Sequence, residues 1–492
     1  MCARNKSLLT ILGVFVLGFF VFSINFFPAK AAGGEWEGVG LGEGEFLADS
    51  GIFGSIAFHP KTNEPYVVYA DGNSLGKATV KRYDWTSWSV VGELEFTAGM
   101  AYGSVISFNP RTNEPYVFYA DGNDNYKATV KKFDGNSWVN VGSPSFSAGS
   151  IASELKLSKV AFHLTTNEPY VAYTDGGSGN KAVVKKYDGS SWVNVGSGQI
   201  SSDIAYPVCL VFNSDTKEPF VAYSDGANHK LTVKKYNGSS WVDVGSGFGE
   251  NNPILFSLAL HPQTNEPYVA YIEQAGNEKV VVKKYDGSSW VNVGEPFFSN
   301  GEAVYIEIAF CPSTNEPMVA FADDSLYYKA VAKKFNGSSW VDAGTIGLDS
   351  GDPFFLDLVF NPQTNEPFVT YTDAIDEPES SYRIAVKKFN KLLTDTSTLA
   401  YSDSKKAKKK ITFNFQDLNL KIKKKDAKVR INGRKIKISR VKKQGNNVLV
   451  ATDLKYGKWS AGSYNLTMTY KGKRGKTTYR GTWRANNVLT IN

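Results

Sequence analysis

The 492-residue sequence has three cysteines and four histidines. Cys2 lies at the amino end, so the body of the chain keeps only Cys209 and Cys311. A domain this large needs no disulfide to supplement its core, and the two read as small buried hydrophobes. Arginine is scarce as well. Residues 32–390 contain only Arg82, Arg111 and Arg383. That excludes an arginine cluster gripping an anionic substrate. No Ser-His-Asp order, phosphate loop or zinc spacing is present. The sequence therefore implies no metal and no cofactor. No stretch beyond the first thirty residues is apolar enough to cross a bilayer.

What is present is repetition. Thr-Asn-Glu-Pro recurs seven times, once as Thr-Lys-Glu-Pro, with its proline at Pro65, Pro115, Pro169, Pro219, Pro267, Pro317 and Pro367. The period is about fifty residues. Each unit holds four short apolar runs split by Pro, Gly, Asn and Asp, with no helical period. In residues 257–294 these are Ser-Leu-Ala-Leu, Tyr-Val-Ala-Tyr, the run from Lys279 to Tyr285, and Trp290-Val-Asn-Val-Gly. Four strands in each of seven units predict an all-β, seven-bladed propeller. The double glycine of kelch repeats and the WD dipeptide are absent. A solenoid is the rival architecture. It has no reason to begin with the orphan outer strand Trp36-Glu-Gly-Val-Gly, which repeat seven lacks. A closed ring does, because that strand completes the last blade and removes a free edge.

Four regions follow. Residues 1–31 have the order of a secretory signal peptide: Arg4 and Lys6, an apolar stretch over 8–27, then Ala29 and Ala31 at a cleavage site. An uncleaved anchor is the alternative. Residues 32–390 are the propeller. Residues 391–410 are a basic Ser/Thr/Lys-rich linker. Residues 411–492 alternate with period two and carry the hairpin signal Asn432-Gly433, which predicts a small β-sandwich. From residue 391 onward there are 26 Lys or Arg, five Asp and no Glu. The preceding residues are net acidic, so the halves suggest different jobs. The basic module is read either as a soluble lysine-rich face or as a contact for an anionic envelope polymer. Nucleic acid fits a secreted chain least.

Two resemblances are visible. Asp286-Gly-Ser-Ser-Trp290 and its copies are similar to the Asp-box of sialidase propellers, one residue short. The arginine shortage speaks against sialidase activity. Ala461-Gly-Ser-Tyr-Asn-Leu resembles a late strand of immunoglobulin-like modules on bacterial surface proteins, which implies a bacterial chain.

Candidate site residues divide by repetition. One acid per blade follows the second strand: Asp71, Asp121, Asp175, Asp225, Glu273, Asp323 and Asp373. A feature in every blade reads as structural, each acid opening a turn opposite its own base. His59, His163 and His261 share one turn position with asparagines of other copies, which suggests a shared bond to turn backbone. Variation instead concentrates near the expected channel mouth. There Lys159, Glu307 and Asp357, with Tyr102, Tyr206 and Tyr305, are the candidate ligand contacts, and no catalytic residue is assigned. The functional expectation is a secreted or surface-held, monomeric binding or adhesion protein that recognises a glycan or a surface protein. The alternatives are a glycoside hydrolase or lyase using Glu307 and Asp357, and a spacer with no specific ligand.

Overall fold

The structure is a computed structural model. It describes residues 35–40, 46–48, 50–151, 158–249, 253, 255–346, 353–375 and 381–390, and the backbone of seven strands between 410 and 491. The predicted signal peptide and the linker up to residue 409 lie outside the described residues. Among the described residues, no helix is long and apolar enough to cross a membrane.

The chain is all-β and forms a seven-bladed propeller. In blade one the strands Gly51–Phe58, Pro65–Asp71, Lys77–Tyr83 and Trp88–Val90 pair in sequence order, each antiparallel to the last. The inner strands of blades two to six are Ala101–Phe108, Ala161–Phe162, Ala205–Phe212, Phe256–Leu260 and Ala303–Phe310. Blade seven has Pro353–Phe360, Pro367–Ile375 and Ser381–Asn390 from the end of the array. Its fourth strand is Glu35–Gly38, with Trp36 opposite Phe389 and Glu37 opposite Lys388. The ring closes as the orphan strand requires.

The repeat motif is a set of local solutions. In Thr-Asn-Glu-Pro the Asn sits at positive φ, as at Asn63 (61°), where asparagine is tolerated better than most residues. The threonine hydroxyl donates to the glutamate, as from Thr112 to Glu114 at 2.7 Å, and that glutamate pairs with Lys132 at 3.0 Å. The Asp-box-like turn works the same way. Asp286 Oδ1 accepts the backbone N–H groups of Ser288 and Ser289. These bonds hold the Asp286 carboxyl below its usual range.

The outer tryptophans close the ring a second time. Each indole N–H donates to a carbonyl of the preceding blade's outer strand: Trp88 to Val39, Trp138 to Val91, Trp192 to Val141, Trp241 to Val195, Trp290 to Val244, Trp340 to Val293 and Trp36 to Ala343. The distances span 2.7–3.0 Å. Each such bond contributes about 1 kcal/mol net. The following glycine explains the rest of the motif. Gly142 has φ of +71°, and a Cβ there would lie 2.8 Å from the Tyr187 ring of the next blade. Apolar cores fill every interface between blades, that between blades seven and one being built on Val39, Ile56, Val67, Tyr69 and Phe368.

Two smaller sheets follow. Lys410–Phe415, Asn447–Asp453 and Ile438–Gln444 form one, in that order. Arg434–Ile436, Lys421–Ile431, Gly462–Arg474 and Thr477–Ile491 form the other. Ile431 pairs with Arg434 across Asn432-Gly433, the expected two-residue hairpin. The sandwich packing expected for residues 411–492 lies outside the described side chains.

Candidate functional site at the channel mouth

The inner strands begin on the propeller face that also carries the turns between second and third strands. In blades one, two, four, six and seven the pairing of the inner strand slips near its start. Such bulges re-aim side chains. Three aromatic residues there have positive φ: Phe53 at 59°, Tyr305 at 54° and Phe355 at 52°. Bulky residues rarely adopt this region, and holding one there costs about 1–3 kcal/mol. The equivalent residue of blade two is Gly103, also at positive φ (63°), so the conformation belongs to the repeated bulge and the aromatic side chains are what these three blades add.

The rings touch one another across the mouth. Phe53 meets Tyr102 at 4.6 Å and Phe355 at 4.5 Å between centroids. Tyr305 meets Phe355 at 6.0 Å and Phe354 at 5.4 Å. The arc ends at Tyr126, beside Tyr102, and at Tyr382, beside Phe354. Both end rings are exposed, at 38% and 45%. Burial raises the Tyr102 phenol above its ordinary pKa, so it stays a neutral donor. Of the eight large apolar side chains exposed among the described residues, all but Leu164 lie on this face.

Beside the arc lies a cavity of about 220 Å³. Lys159, Tyr206, Tyr305, Glu307, Cys209 and Ser257 are among its walls. Four of the six predicted ligand contacts therefore converge there. Tyr102 sits on the arc instead. Asp357 is buried, with a side chain 1% exposed, and does not line the cavity. Its Oδ2 accepts from Lys159 Nζ at 2.7 Å, Ser55 Oγ at 2.9 Å and Ile56 N at 2.9 Å. Lys159 also donates to Ile56 O at 2.9 Å. This strut runs from blade three across the axis to blades seven and one. Lys159 is both the cation of this strut and one of the walls of the cavity. Asp357 is thereby held in the strut rather than at the cavity wall.

The repeated residues are occupied locally. Each rim acid lies opposite its own base in register, from Asp71 opposite Lys77 to Asp373 opposite Arg383. Most are buried, and Asp175 accepts backbone N–H groups from Gly177, Ala148 and Gly149. His59 Nδ1 accepts from Lys61 N and Thr62 N, as Asn109 Oδ1 does from Arg111 N and Thr112 N. Burial is the largest influence on His59, His163 and His261, and holds all three below the usual histidine pKa. No group of three His, Cys, Asp or Glu among the described residues is placed to hold a metal ion. Cys209 and Cys311 form no disulfide and are only half-buried, so the reading of both as buried hydrophobes needs correction. Cys209 lines the cavity, and Cys311 lies beside Ser313 at the opposite face.

Phe53, Tyr126 and Tyr382 escape the sequence reading. Phe53 had a signal. It stands two residues before the axis position of its blade, as Tyr305 and Phe355 do in theirs.

No protein-family model matches the chain, and no curated protein matches it. Among solved structures it is similar to a fucose-specific lectin from Aleuria aurantia, at 15% identity and a TM-score of 0.40, over 62% of this chain and 99% of that one. It is also similar to AofleA from Arthrobotrys oligospora, at 10% identity and a TM-score of 0.41, over 64% and 89%. A third is the polysaccharide lyase Uly1, at 8% identity and 0.42, over 70% and 89%.

Proposed function

We propose that this chain is a secreted or surface-held glycan-binding protein. Its propeller engages sugar at the channel mouth, and its basic C-terminal strands contact an anionic envelope polymer. The observation that carries the first part is the arc of strained aromatic rings leading from an exposed edge to a small mixed cavity. A pyranose offers an apolar C–H face and a polar hydroxyl edge. Aromatic rings suit the first, at about 0.5–1.5 kcal/mol per good ring contact. Glu307, Lys159 and Ser257 suit the second. The cavity accommodates about one sugar residue. A folded protein partner would need a far wider buried surface, on the order of 800 Å² on this side.

The test is a glycan array with the full chain and the variant Y206A/Y305A. Both tyrosines line the cavity. A hit weakened at least tenfold in the variant is expected. Equal binding by both proteins, or no hit on a broad array, would refute the reading.

A further inference from the structure

The second small sheet sorts its residues by face. Residues directly paired across a sheet share a face, and alternate residues along a strand return to it. Arg430 pairs with Lys435 on one side and Thr467 on the other, and Thr467 pairs with Arg484. The next row is Lys428, Thr469 and Thr482. Lys471 then pairs with Arg480, and Lys421 with Lys473. These rows follow one another at every second position of Gly462–Arg474, so they lie on one face. The residues so paired on that face include eight Lys or Arg, interleaved with threonine, and Asp426 falls in the irregular stretch between Ile422 and Ala427. The other face has Val429, Met468 and Trp483 in one row and Ala427, Tyr470 and Gly481 in the next.

Solubility does not require this arrangement. Three of the rows place like charges directly opposite: Arg430 and Lys435, Lys471 and Arg480, Lys421 and Lys473. Such pairs destabilise a sheet. The rows span roughly 14 Å by 20 Å, and charges on neighbouring strands lie about 5 Å apart, inside one Debye length at physiological salt, so they repel within each row. A bound anion relieves that repulsion, and a line of anions relieves it for every row at once.

We infer that this sheet face is the binding surface for a linear phosphate-bearing polymer. The inference rests on the proposed contact of the basic strands with a polyanion, and adds the face and the chemistry. Arginine presents a planar fork that matches phosphate oxygens. Threonine adds a hydroxyl donor between the forks. Same-face positions along a strand recur about every 7 Å, so a flexible chain of phosphates can meet successive rows. The face offers no apolar residue to enter a lipid bilayer, and membrane-surface elements combine a basic side with an apolar one.

The test uses the full chain and long-chain inorganic polyphosphate at 50 mM salt. The variant R430Q/K471Q/R480Q/R484Q removes four charges from the face. The control K405Q/K406Q/K408Q/K409Q removes four from the preceding lysine run. The expected result is polyphosphate binding that weakens more than about a hundredfold between 50 and 200 mM salt, for roughly six phosphate contacts. The face variant should lose at least tenfold more affinity than the control. Thermal melting checks folding; if the quadruple variant unfolds, R480Q alone, opposite Lys471, should still weaken binding. Equal losses in variant and control would overturn the assignment to this face while leaving a polyanion contact. No binding of polyphosphate would overturn that contact as well. Binding to phosphatidylglycerol vesicles but not to polyphosphate would overturn the choice of a polymer.

Discussion

Lys159→Met probes the strut that shapes the channel. Methionine keeps most of the side-chain volume and removes the charge. In the native chain Asp357 Oδ2 takes three donors, and only Lys159 is charged. Without it that oxygen keeps the neutral donors Ser55 and Ile56. Breaking a buried ion pair by removing one partner costs about 3–5 kcal/mol. Lys159 is 30% exposed, so water already screens part of the attraction. We therefore place the loss at about 2–3 kcal/mol. Asp357→Asn in the same chain removes the stranded charge, and the amide oxygen can still accept from Ser55 and Ile56. The double variant should recover most of the loss. Equilibrium urea unfolding of wild type, both single variants and the double variant gives the coupling energy. A change below about 0.5 kcal/mol in K159M, as for an ordinary surface site, would refute the strut. So would a double variant no more stable than K159M.

Other perturbations separate ring, turn and motif. A chain beginning at Phe46 lacks the strand that pairs with Ser381–Asn390 and the Trp36–Ala343 bond, so its melting midpoint should fall by several degrees; an unchanged melt would contradict the closure. His59, His163 and His261 have folded pKa values below the ordinary 6.5. The unfolded chain thus takes up more protons, so the stability they confer is full above about pH 6.5 and declines as pH falls through it. H59N/H163N/H261N, which installs the residue of sister blades, should flatten that decline in melts from pH 8 to 5. Gly142→Ala meets both positive φ and the Tyr187 ring, whereas Gly135→Ala meets positive φ in open space. G142A should cost roughly 1 kcal/mol more than G135A, since the left-handed backbone alone costs about 1 kcal/mol; equal losses in chemical unfolding would contradict the packing role.

The blades were legible because their punctuation is local. Asn63, Asp286 and Gly142 each answer a turn or a close approach within a few residues or one blade, and the same answer, with few substitutions, recurs from blade to blade. Closure was legible from a mismatch, the surplus Trp36 at one end and the missing outer strand at the other. Lys159, Glu307 and Asp357 stood out because they break the repeat. Their arrangement was not legible. The bond from Lys159 to Asp357 spans about two hundred residues and exists only once seven blades are closed. A period gives each residue's place within a blade, not which blades face one another across the axis. Phe53 was missed because a bulge sets its direction, and bulges do not show in an alternating pattern. The basic face was hidden for a related reason: Arg430 and Lys435 become neighbours only through strand register.

The central claim is that sugar binds at the channel mouth, and a crystal structure with the tightest array hit tests it most directly. The account predicts a sugar ring against Tyr305 or Phe355, with a hydroxyl edge toward Glu307 or Lys159 in the cavity. Sugar found on the Thr-Asn-Glu-Pro face, or between outer strands with the mouth empty, would contradict it.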